Sequence, residues 1–158
     1  MAKKTIPSRR SGCPVSIALD LFGDRWSLLI VRDMMVRGYR TFHEFQSAGE
    51  GIATNILAGR LRKLKAAGIL NSEQLPEDGR SRSYRLTEKG IALAPVLLEL
   101  LIWSGNHEDT AATPEYVHQM ELNRQGILDE TVRRWQQRDT TPLIPPFPER
   151  SSKLKGAR

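Results

Sequence analysis

The stretch Gly51–Leu70, GIATNILAGRLRKLKAAGIL, decides how the rest of the chain is interpreted. Four apolar residues fall along one side of it at helical spacing: Ile52, Leu57, Leu61 and Leu64. The other side combines small residues, an amide and a run of Arg and Lys. Small residues let the backbone approach DNA, an Asn amide pairs with a base edge, and basic side chains reach phosphates or guanine. Because a basic helix face is more often merely solvated, the neighbouring elements decide between these two interpretations.

The charge of the chain is unevenly distributed. The net charge is +6, and residues 1–105 contain 16 Lys and Arg against 10 Asp and Glu, whereas residues 106–158 contain 8 of each. The excess positive charge therefore accompanies the stretch quoted above, which favours a polyanionic partner for that part of the chain. The single cysteine, Cys13, excludes a disulfide framework within the chain and indicates a reducing, cytoplasmic compartment. The N-terminus has no apolar segment typical of a secretory signal, and no run of about 18 apolar residues predicts a membrane span.

The residues before Gly51 complete a helix-turn-helix pattern. Pro14–Phe22 predicts a short helix, and Asp24 is a suitable N-cap for a second helix that Gly38 ends. Thr41 and Glu44 form a capping box at the start of a short third helix. A glycine-containing turn then leads into the helix of the opening stretch, which Gly68 ends, and this succession predicts a helix-turn-helix.

The residues after Gly68 predict a β-hairpin. The turn cluster Pro76–Gly79 separates two segments of extended character, and Arg80 and Arg82 follow it. A hairpin directly after the second helix of a helix-turn-helix is a wing, whose Arg side chains contact backbone phosphates or the minor groove. The alternative is that these arginines only protect a strand edge from aggregation.

The remaining third of the chain predicts further helices. Thr87 caps a helix that is apolar nearly all round between Ile91 and Trp103, more than one small domain can cover. A second copy of the chain is the expected cover, and the residues expected at that interface are Leu97, Leu98, Leu101, Ile102 and Trp103. Residues 106–139 predict a helical extension, broken at Gly126. We interpret residues 1–12 as a flexible basic arm, residues 13–105 as the DNA-binding and dimerisation domain, and residues 140–158 as a disordered, Pro-rich basic tail.

The sequence contains no catalytic motif and no cofactor motif. A loose group of acidic and histidine residues between His107 and His118 lacks the spacing of a metal site, so no metal and no catalytic residue are predicted. Cys13 has two interpretations. At the start of a helix it would be a reactive thiolate, because the helix N-terminus favours negative charge, or it would be a small, buried and inert residue.

Several spaced motifs resemble the HxlR family of bacterial transcription regulators, which are winged helix-turn-helix proteins related to the MarR group. The motifs that carry the resemblance, over about residues 13–104, are Cys13-Pro14, Gly23-Asp24-Arg25-Trp26, Tyr39-Arg40-Thr41-Phe42 with Glu44-Phe45, Gly51-Ile52 with Leu57, Leu61-Arg62 and Leu64, Gly68-Ile69, and Tyr84-Arg85-Leu86-Thr87 with Gly90. The resemblance implies a homodimer, joined through its N-terminal and C-terminal helices, on a pseudo-palindromic operator. It also implies sensing of electrophiles or oxidants at the position of Cys13.

The chain departs from the family pattern at the start of the predicted recognition helix. Ala53 stands where the family usually has Ser, Gly59 lies inside the helix, and the wing sequence from Asp78 to Arg82 looks more like the MarR type. A lost cap and an internal glycine each cost about 1 kcal/mol. We therefore expect few direct base contacts, with the wing and DNA shape supplying more of the specificity.

The sequence thus predicts a mainly α fold with a small antiparallel β-hairpin wing, namely a winged helix-turn-helix with extra dimerisation helices and a C-terminal helical extension. The predicted partners are double-stranded DNA and a second copy of the chain, with no membrane, no cofactor and no enzymatic activity. Base contacts are expected from Asn55, Gly59 and Arg62, and phosphate contacts from Thr54, Lys63, Lys65, Arg80 and Arg82. Two alternatives remain: a winged helix used for protein interaction, and a sensor with a small-ligand pocket near Trp103, Met120 and Trp135.

Overall fold

A computed structural model describes the backbone of residues 11–75 and 78–143, and the side chains of residues 11–75 and 81–143. Along the chain it contains α1 (Pro14–Phe22), α2 (Ser27–Arg32), a π-helical segment (Asp33–Arg37), α3 (Phe42–Gln46), α4 (Thr54–Ala66), β1 (Leu70–Leu75), β2 (Asp78–Leu86), α5 (Glu88–Ile91), α6 (Ala94–His107), α7 (Pro114–Leu122) and α8 (Arg124–Gln136). The predicted fold class, mainly helical with one antiparallel hairpin, is confirmed. None of the helices in the described ranges is both long and apolar enough to span a bilayer.

The first helix begins at the residue that the sequence indicates, whereas α2 begins at Ser27, so its N-cap residue is Trp26 and not the predicted Asp24. Pro14 opens α1, and the carboxylate of Asp24 accepts hydrogen bonds from the backbone N–H groups of Trp26 and Ser27 at the start of α2. The C-terminal half of the predicted second helix is π-helical, which the sequence pattern did not indicate. Gly38 ends it in the left-handed conformation, with φ of 74°, as helix C-caps often require.

The helix-turn-helix and the hairpin are also present. The capping box forms at α3, where Thr41 accepts from the N–H of Glu44 while the Glu44 carboxylate accepts from the N–H of Thr41. In the hairpin, Leu70 pairs with Leu86 and Gln74 with Arg82. A β-bridge between Thr41 and Ser83 adds a third strand-like segment on the other side of β2. The predicted wing is therefore attached to the start of α3 as well as to α4.

Two predicted helices are interrupted at positions that differ from expectation. The apolar helix after Thr87 is split into α5 and α6, because the ring of Pro95 prevents a continuous helix through Ile91. The C-terminal helical region breaks at Asn123, so the predicted break at Gly126 is wrong. Gly126 lies within α8, where a Cβ atom would collide with the side chain of Asn123.

The structure has two apolar cores. The larger core lies beneath α4 and includes Val31, Met34, Leu57, Leu64 and Leu70, which are almost fully buried. The smaller core consists of Leu98 and Ile102 of α6 packed on Val117 of α7. Burial of such side chains supplies roughly 1.5–3 kcal/mol each. The second core ties the C-terminal extension to α6.

The ends of the chain are only partly described. Residues 1–10 of the predicted arm and residues 144–158 of the predicted tail lie outside the described residues. The first part of the predicted tail, residues 140–143, lies against the π-helical segment, where the N–H of Leu143 donates to the carbonyl of Val36 at 2.7 Å. A Cβ atom at Gly38 would overlap the carbonyl oxygen of Thr140, so this close approach depends on glycine.

Candidate nucleic-acid interface

Helix α4 buries one face and exposes the other, as its pattern predicts. Leu57, Leu61 and Leu64 face the core. The exposed face carries most of the residues expected to contact DNA: Thr54, Asn55, Arg62 and Lys65. Among the described residues, neither Asn55 nor Arg62 has a hydrogen-bond or ion-pair partner, so both remain available for a ligand.

The N-terminus of α4 is not capped by its own N-cap residue, because Ala53 has no side-chain acceptor. The side chain of Thr54 is instead held from the preceding helix, since Nε2 of Gln46 donates to its Oγ1 atom at 2.6 Å. Gln46 was not identified from the sequence. Its contact fixes the turn of the helix-turn-helix and the position of a predicted phosphate-binding hydroxyl.

Gly59 gives α4 a bare segment of backbone. No atom outside the helix lies within 4 Å of the position that a Cβ atom would occupy, and the residue is half-buried. The protein core therefore does not require glycine at this position. A glycine that packing does not explain, on a helix face expected to meet DNA, allows the backbone to approach the ligand closely.

The basic residues of α4 do not all point the same way. The Nε atom of Arg60 lies 3.3 Å from Asp24, and Nζ of Lys63 lies 3.8 Å from the same carboxylate. Burial of Asp24 opposes its ionisation, but hydrogen bonds from Ser27 and the backbone, with the charge of Arg60, outweigh this and lower the pKa of Asp24. Lys63 is thus partly neutralised within the protomer, whereas Arg62 is not.

The wing and α4 bring two cations together at one hydroxyl. Nζ of Lys65 donates to Oγ of Ser72 at 2.7 Å, and the guanidinium of Arg82 donates to the same oxygen at 3.4 Å. Both side chains are exposed, and within the described residues neither forms an ion pair with a carboxylate. The sequence placed these cations on separate elements, and the fold joins them. The side chain of Arg80, also expected here, lies outside the described residues.

The turn before α4 is fixed by a buried charge cluster. Asp33, only 2% exposed, binds the guanidinium groups of Arg32 and Arg37. These arginines also reach the turn, since Arg32 bonds to Glu50 and Arg37 to the carbonyl of Ala48. Burial raises the pKa of Asp33 despite both neighbouring cations, which lower it less. The cluster thus joins the π-helical segment to the turn before α4.

The residues expected at a dimer interface are distributed differently from the prediction. Leu98 and Ile102 are buried in the protomer itself, and Leu97 and Leu101 are partly buried against its two cores. Trp103 is 57% exposed. Two residues that were not named complete a face with it at spacings of four and three residues, namely Val96 and Leu100, each 46% exposed. The uncovered apolar face of α6 is therefore Val96–Leu100–Trp103.

Cys13 is exposed and is the N-cap residue of α1. Its backbone N–H donates to Oγ of Ser11 at 3.1 Å. Arg9 and Arg10, which precede Cys13 in the sequence, lie outside the described residues, and the guanidinium of Arg25 lies over the ring of Trp26 at 4.9 Å. The exposed position differs from the buried, inert alternative. Among the described side chains, no group of three or more His, Cys, Asp or Glu residues could hold a metal ion.

The described residues also line a small apolar cavity. It has a volume of about 60 Å³ and lies between the π-helical segment, α6 and α8. Its walls include Met35, Leu97, Met120 and Leu128, and its lining is mostly apolar. Of the three residues named for a ligand pocket from the sequence, Met120 lines this cavity; Trp103 and Trp135 do not.

Comparison with known proteins shows a similarity to one family of transcriptional regulators. A family model described as HxlR-like helix-turn-helix matches residues 21–112. YybR, an HTH-type transcriptional regulator of Bacillus subtilis (strain 168), is 33% identical over 107 residues, which span 68% of this chain and 85% of YybR. The range that the family model matches, residues 21–112, contains the helix-turn-helix, the wing and α6, and ends before α7.

Two solved structures each resemble more than half of the chain. The structure of PA1607 is 42% identical, with a TM-score of 0.58 over 64% of this chain and 69% of PA1607. The redox regulator HypR in its oxidised form is 30% identical, with a TM-score of 0.56 over 62% of this chain and 100% of HypR. The similarity thus extends from sequence to fold.

Proposed function

We propose that this chain, which belongs to the HxlR-like helix-turn-helix family of transcriptional regulators, binds a pseudo-palindromic operator as a homodimer. Membership of this family makes it a DNA-binding regulator rather than an enzyme. The observation that carries the proposal is the meeting of Lys65 from α4 and Arg82 from the wing at Ser72. Two exposed cations with a neutral hydroxyl between them suit a phosphate of the DNA backbone.

The roles of the individual residues follow from their positions on α4 and the wing. Asn55, Gly59 and Arg62 would face base edges, because they lie on the outer side of α4. Thr54, Lys65 and Arg82 would contact phosphates, and so would Arg80. Lys63 would contribute a weaker phosphate contact, since Asp24 partly neutralises it. This face offers few donors to bases, so shape and deformability of the DNA would supply much of the specificity.

The exposed apolar face of α6 supports the homodimer. Val96, Leu100 and Trp103 lie on one side of that helix, and α1 carries a second exposed pair, Val15 and Leu19, at helical spacing. Exposed apolar side chains that are grouped on a helix indicate an interaction surface. A two-fold dimer covers identical surfaces on both copies and spaces two recognition helices for the two half-sites. As a chromosomal DNA-binding protein it would act in the cytoplasm, associated with the nucleoid.

We also propose that Cys13 makes the regulator responsive to oxidants or electrophiles. Two observations support this proposal: the thiol is exposed at the start of α1, and the chain resembles a structure described as a redox regulator. Because the sequence has no second cysteine, oxidation would join the Cys13 thiols of two protomers in one disulfide, or an electrophile would form an adduct. The unaltered chain and the Cys13→Ser variant are both treated with a thiol oxidant and compared by non-reducing electrophoresis. This separates a disulfide-linked pair of protomers from a single protomer that carries an adduct.

A gel-shift series with fragments flanking the protein's own gene tests the proposed function. A specific complex that survives moderate salt and excess competitor DNA is expected. If the complexes with these fragments dissociate at the same salt concentration as the complex with a scrambled fragment, that result would contradict sequence-specific binding. That result would favour the alternative in which the winged helix binds another protein.

A second candidate role is small-ligand sensing. The apolar cavity between α6 and α8 favours it, because it lies between the proposed dimerisation helix and the C-terminal extension. Its two methionines, Met35 and Met120, have flexible side chains that adapt to an occupant. A thermal shift on adding small apolar compounds, abolished in Leu128→Trp, would support this role.

A further inference from the structure

A tryptophan of the C-terminal extension, Trp135, contacts the wing. Nε1 of Trp135, in the last turn of α8, donates to the carbonyl oxygen of Leu86 at 2.8 Å. In the opposite direction, the guanidinium of Arg85 donates to the carbonyl oxygen of Trp135, also at 2.8 Å. The same guanidinium lies over the indole ring, 5.2 Å from its centroid. The end of α8 and the end of β2 are therefore joined by two hydrogen bonds and one cation–π contact.

These contacts have favourable physical chemistry. A cation near the C-terminus of a helix is stabilised by the helix dipole, and Arg85 lies at that end of α8. The indole N–H is a strong donor that needs a partner when it is partly buried, and Leu86 supplies one. Arg85 is consequently unavailable for DNA, although it belongs to the basic wing.

The contact lies at the base of the wing, where a small rotation displaces the DNA-facing residues. Arg82 is four residues from Leu86 along β2, about 13 Å at the rise of a strand. An isolated two-stranded hairpin is at best marginally stable, so its orientation depends on what packs against its base. Besides β1, β2 contacts the start of α3, where the N–H of Tyr84 donates to the carbonyl of Arg40 at 2.7 Å. Trp135 provides an attachment from a different part of the chain.

The helix that carries Trp135 is itself firmly attached to the domain. Val132 and Trp135 pack against the larger core, and Thr131 is buried. Beyond α8 the chain contacts the π-helical segment through Leu143 and Thr140. That segment contains Asp33 and Arg37, which fix the turn before α4. The extension therefore contacts both the base of the wing and the segment that is bonded to the turn before α4.

We propose that Trp135 is a positioning residue for DNA binding, which holds β2 so that Arg82 is directed to the DNA backbone beside Lys65. Trp135 lies beyond residue 112, where the family match ends, so the family match does not supply this role. The inference rests on the proposed DNA-binding function. It assigns to the C-terminal extension a direct part in that function.

Trp135→Phe tests the role because it keeps an aromatic ring for Arg85 and removes the indole N–H, together with part of the ring that packs on the core. The salt dependence of DNA affinity is measured for the unaltered chain, Trp135→Phe, Arg82→Ala and the double variant. Each single substitution is expected to reduce the slope of log affinity against log salt by about 0.9, the value of one phosphate contact. The double variant is expected to match Arg82→Ala, because a misdirected Arg82 has no contact left to lose.

Val132→Ala is the matched control, since it weakens the packing of the same helix on the larger core without removing a hydrogen bond to β2. It is expected to lower the melting temperature and leave the slope unchanged. If Trp135→Phe behaves like Val132→Ala, or if its effect adds fully to that of Arg82→Ala, the positioning role is wrong and Trp135 only packs.

Hydrogen exchange in the DNA-free protein separates this inference from the proposed function. The backbone amides of residues 82–86 are expected to exchange faster in Trp135→Phe, whereas the amides of α4 keep their rates. Unchanged exchange in β2 would overturn the inference even if DNA binding is established. Absence of salt-dependent DNA binding by the unaltered chain would instead refute the proposed function, and with it the role of Trp135.

Discussion

The guanidinium Nε of Arg60 lies 3.3 Å from the carboxylate of Asp24, so the middle of α4 is joined to the corner between α1 and α2. The same carboxylate holds the first N–H groups of α2. One side chain therefore stabilises the entry to α2, fixes the position of α4, and neutralises part of the basic charge that α4 presents. Stability and DNA affinity have opposite requirements at Asp24.

Replacing Asp24 with Asn tests this opposition. The variant keeps an oxygen acceptor for α2 but loses the charge, so we expect it to unfold more easily by about 1 kcal/mol. Arg60 and Lys63 lose their internal partner, and DNA affinity at low salt is expected to rise by about 1 kcal/mol, the energy of one charge pair at 4 Å in water. Asp129→Asn, an equal change of charge on α8, should show neither effect. Weaker DNA binding by Asp24→Asn would contradict the account.

The phosphate contact at the wing predicts a change in salt dependence. Arg82→Ala is expected to weaken binding to all sequences alike and to reduce the slope of log affinity against log salt by about one. Fluorescence anisotropy with a specific and a scrambled duplex measures both quantities. Arg133→Ala is the control, because that arginine is exposed on α8 and paired with Glu130. Equal slopes for the Arg82→Ala variant and the unaltered chain would remove the wing from the interface.

Gly59 predicts a trade between stability and binding. Because nothing occupies the position of its Cβ, Gly59→Ala is expected to stabilise the protein by about 0.5–1 kcal/mol, the usual gain from replacing an internal helix glycine. The added methyl group would keep α4 further from the groove, so DNA affinity should fall. Chemical denaturation and anisotropy on one sample measure the pair of effects. A more stable variant with unchanged affinity would show that the backbone at Gly59 does not approach DNA.

The capping box at α3 predicts a pH dependence of stability. Burial of Glu44 opposes its ionisation, but hydrogen bonds from the N–H groups of Arg40 and Thr41 and from the Thr41 hydroxyl outweigh this and lower the pKa of Glu44. Its stabilising contribution is therefore complete above the unfolded value of 4.5 and is lost as the pH falls through the lower folded pKa. Glu44→Gln should therefore destabilise the protein more at pH 7 than at about pH 3.

Thermal melts at both pH values measure this difference, with Glu88→Gln as the control. Glu88 occupies the first turn of α5, but within the described residues its carboxylate accepts no backbone hydrogen bond. A destabilisation by Glu44→Gln that is the same at both pH values would show that the carboxylate charge does not contribute.

The apolar face of α6 predicts a change in assembly. Leu100→Asp places a charge at the centre of the Val96–Leu100–Trp103 face, and we expect it to convert a dimer into a folded monomer, because an unpaired charge is costly to bury. Sedimentation velocity measures the mass and circular dichroism the fold. Leu122→Asp is the control, because Leu122 is 69% exposed on α7 and lies outside this face. A Leu100→Asp variant of unaltered mass would place any dimer interface elsewhere.

Local signals in the sequence were sufficient for much of the fold. The Thr41–Glu44 capping box and the helix start at Pro14 are each specified by residues within a few positions, and both are confirmed. Of the predicted turn Pro76–Gly79, the structure places Asp78 and Gly79 in β2, and the other two residues lie outside the described ranges. The two faces of α4 follow from helical spacing alone. Such features are predictable because the interactions that create them connect neighbours in the chain.

The features that the sequence did not indicate depend on distant contacts. Arg60 meets Asp24, and Trp135 meets Leu86, across separations that no periodicity reveals. Leu98 and Ile102 seemed available to a partner only because their cover, Val117, comes from a helix whose docking could not be inferred. The break at Asn123 was misplaced because glycine is the commoner interrupter of helices.

Selection of bound sequences from a random pool of duplexes tests the central claim most directly, that α4 and the wing read DNA as a pair of half-sites. The account predicts enrichment of a pseudo-palindrome whose half-sites are centred about one helical turn apart. It also predicts that Asn55→Ala relaxes the base preference at one position in each half-site. Arg82→Ala, in contrast, is expected to keep the motif and to lower the amount of DNA that is bound. A pool without an enriched motif, or one enriched in a single unpaired site, would contradict the account.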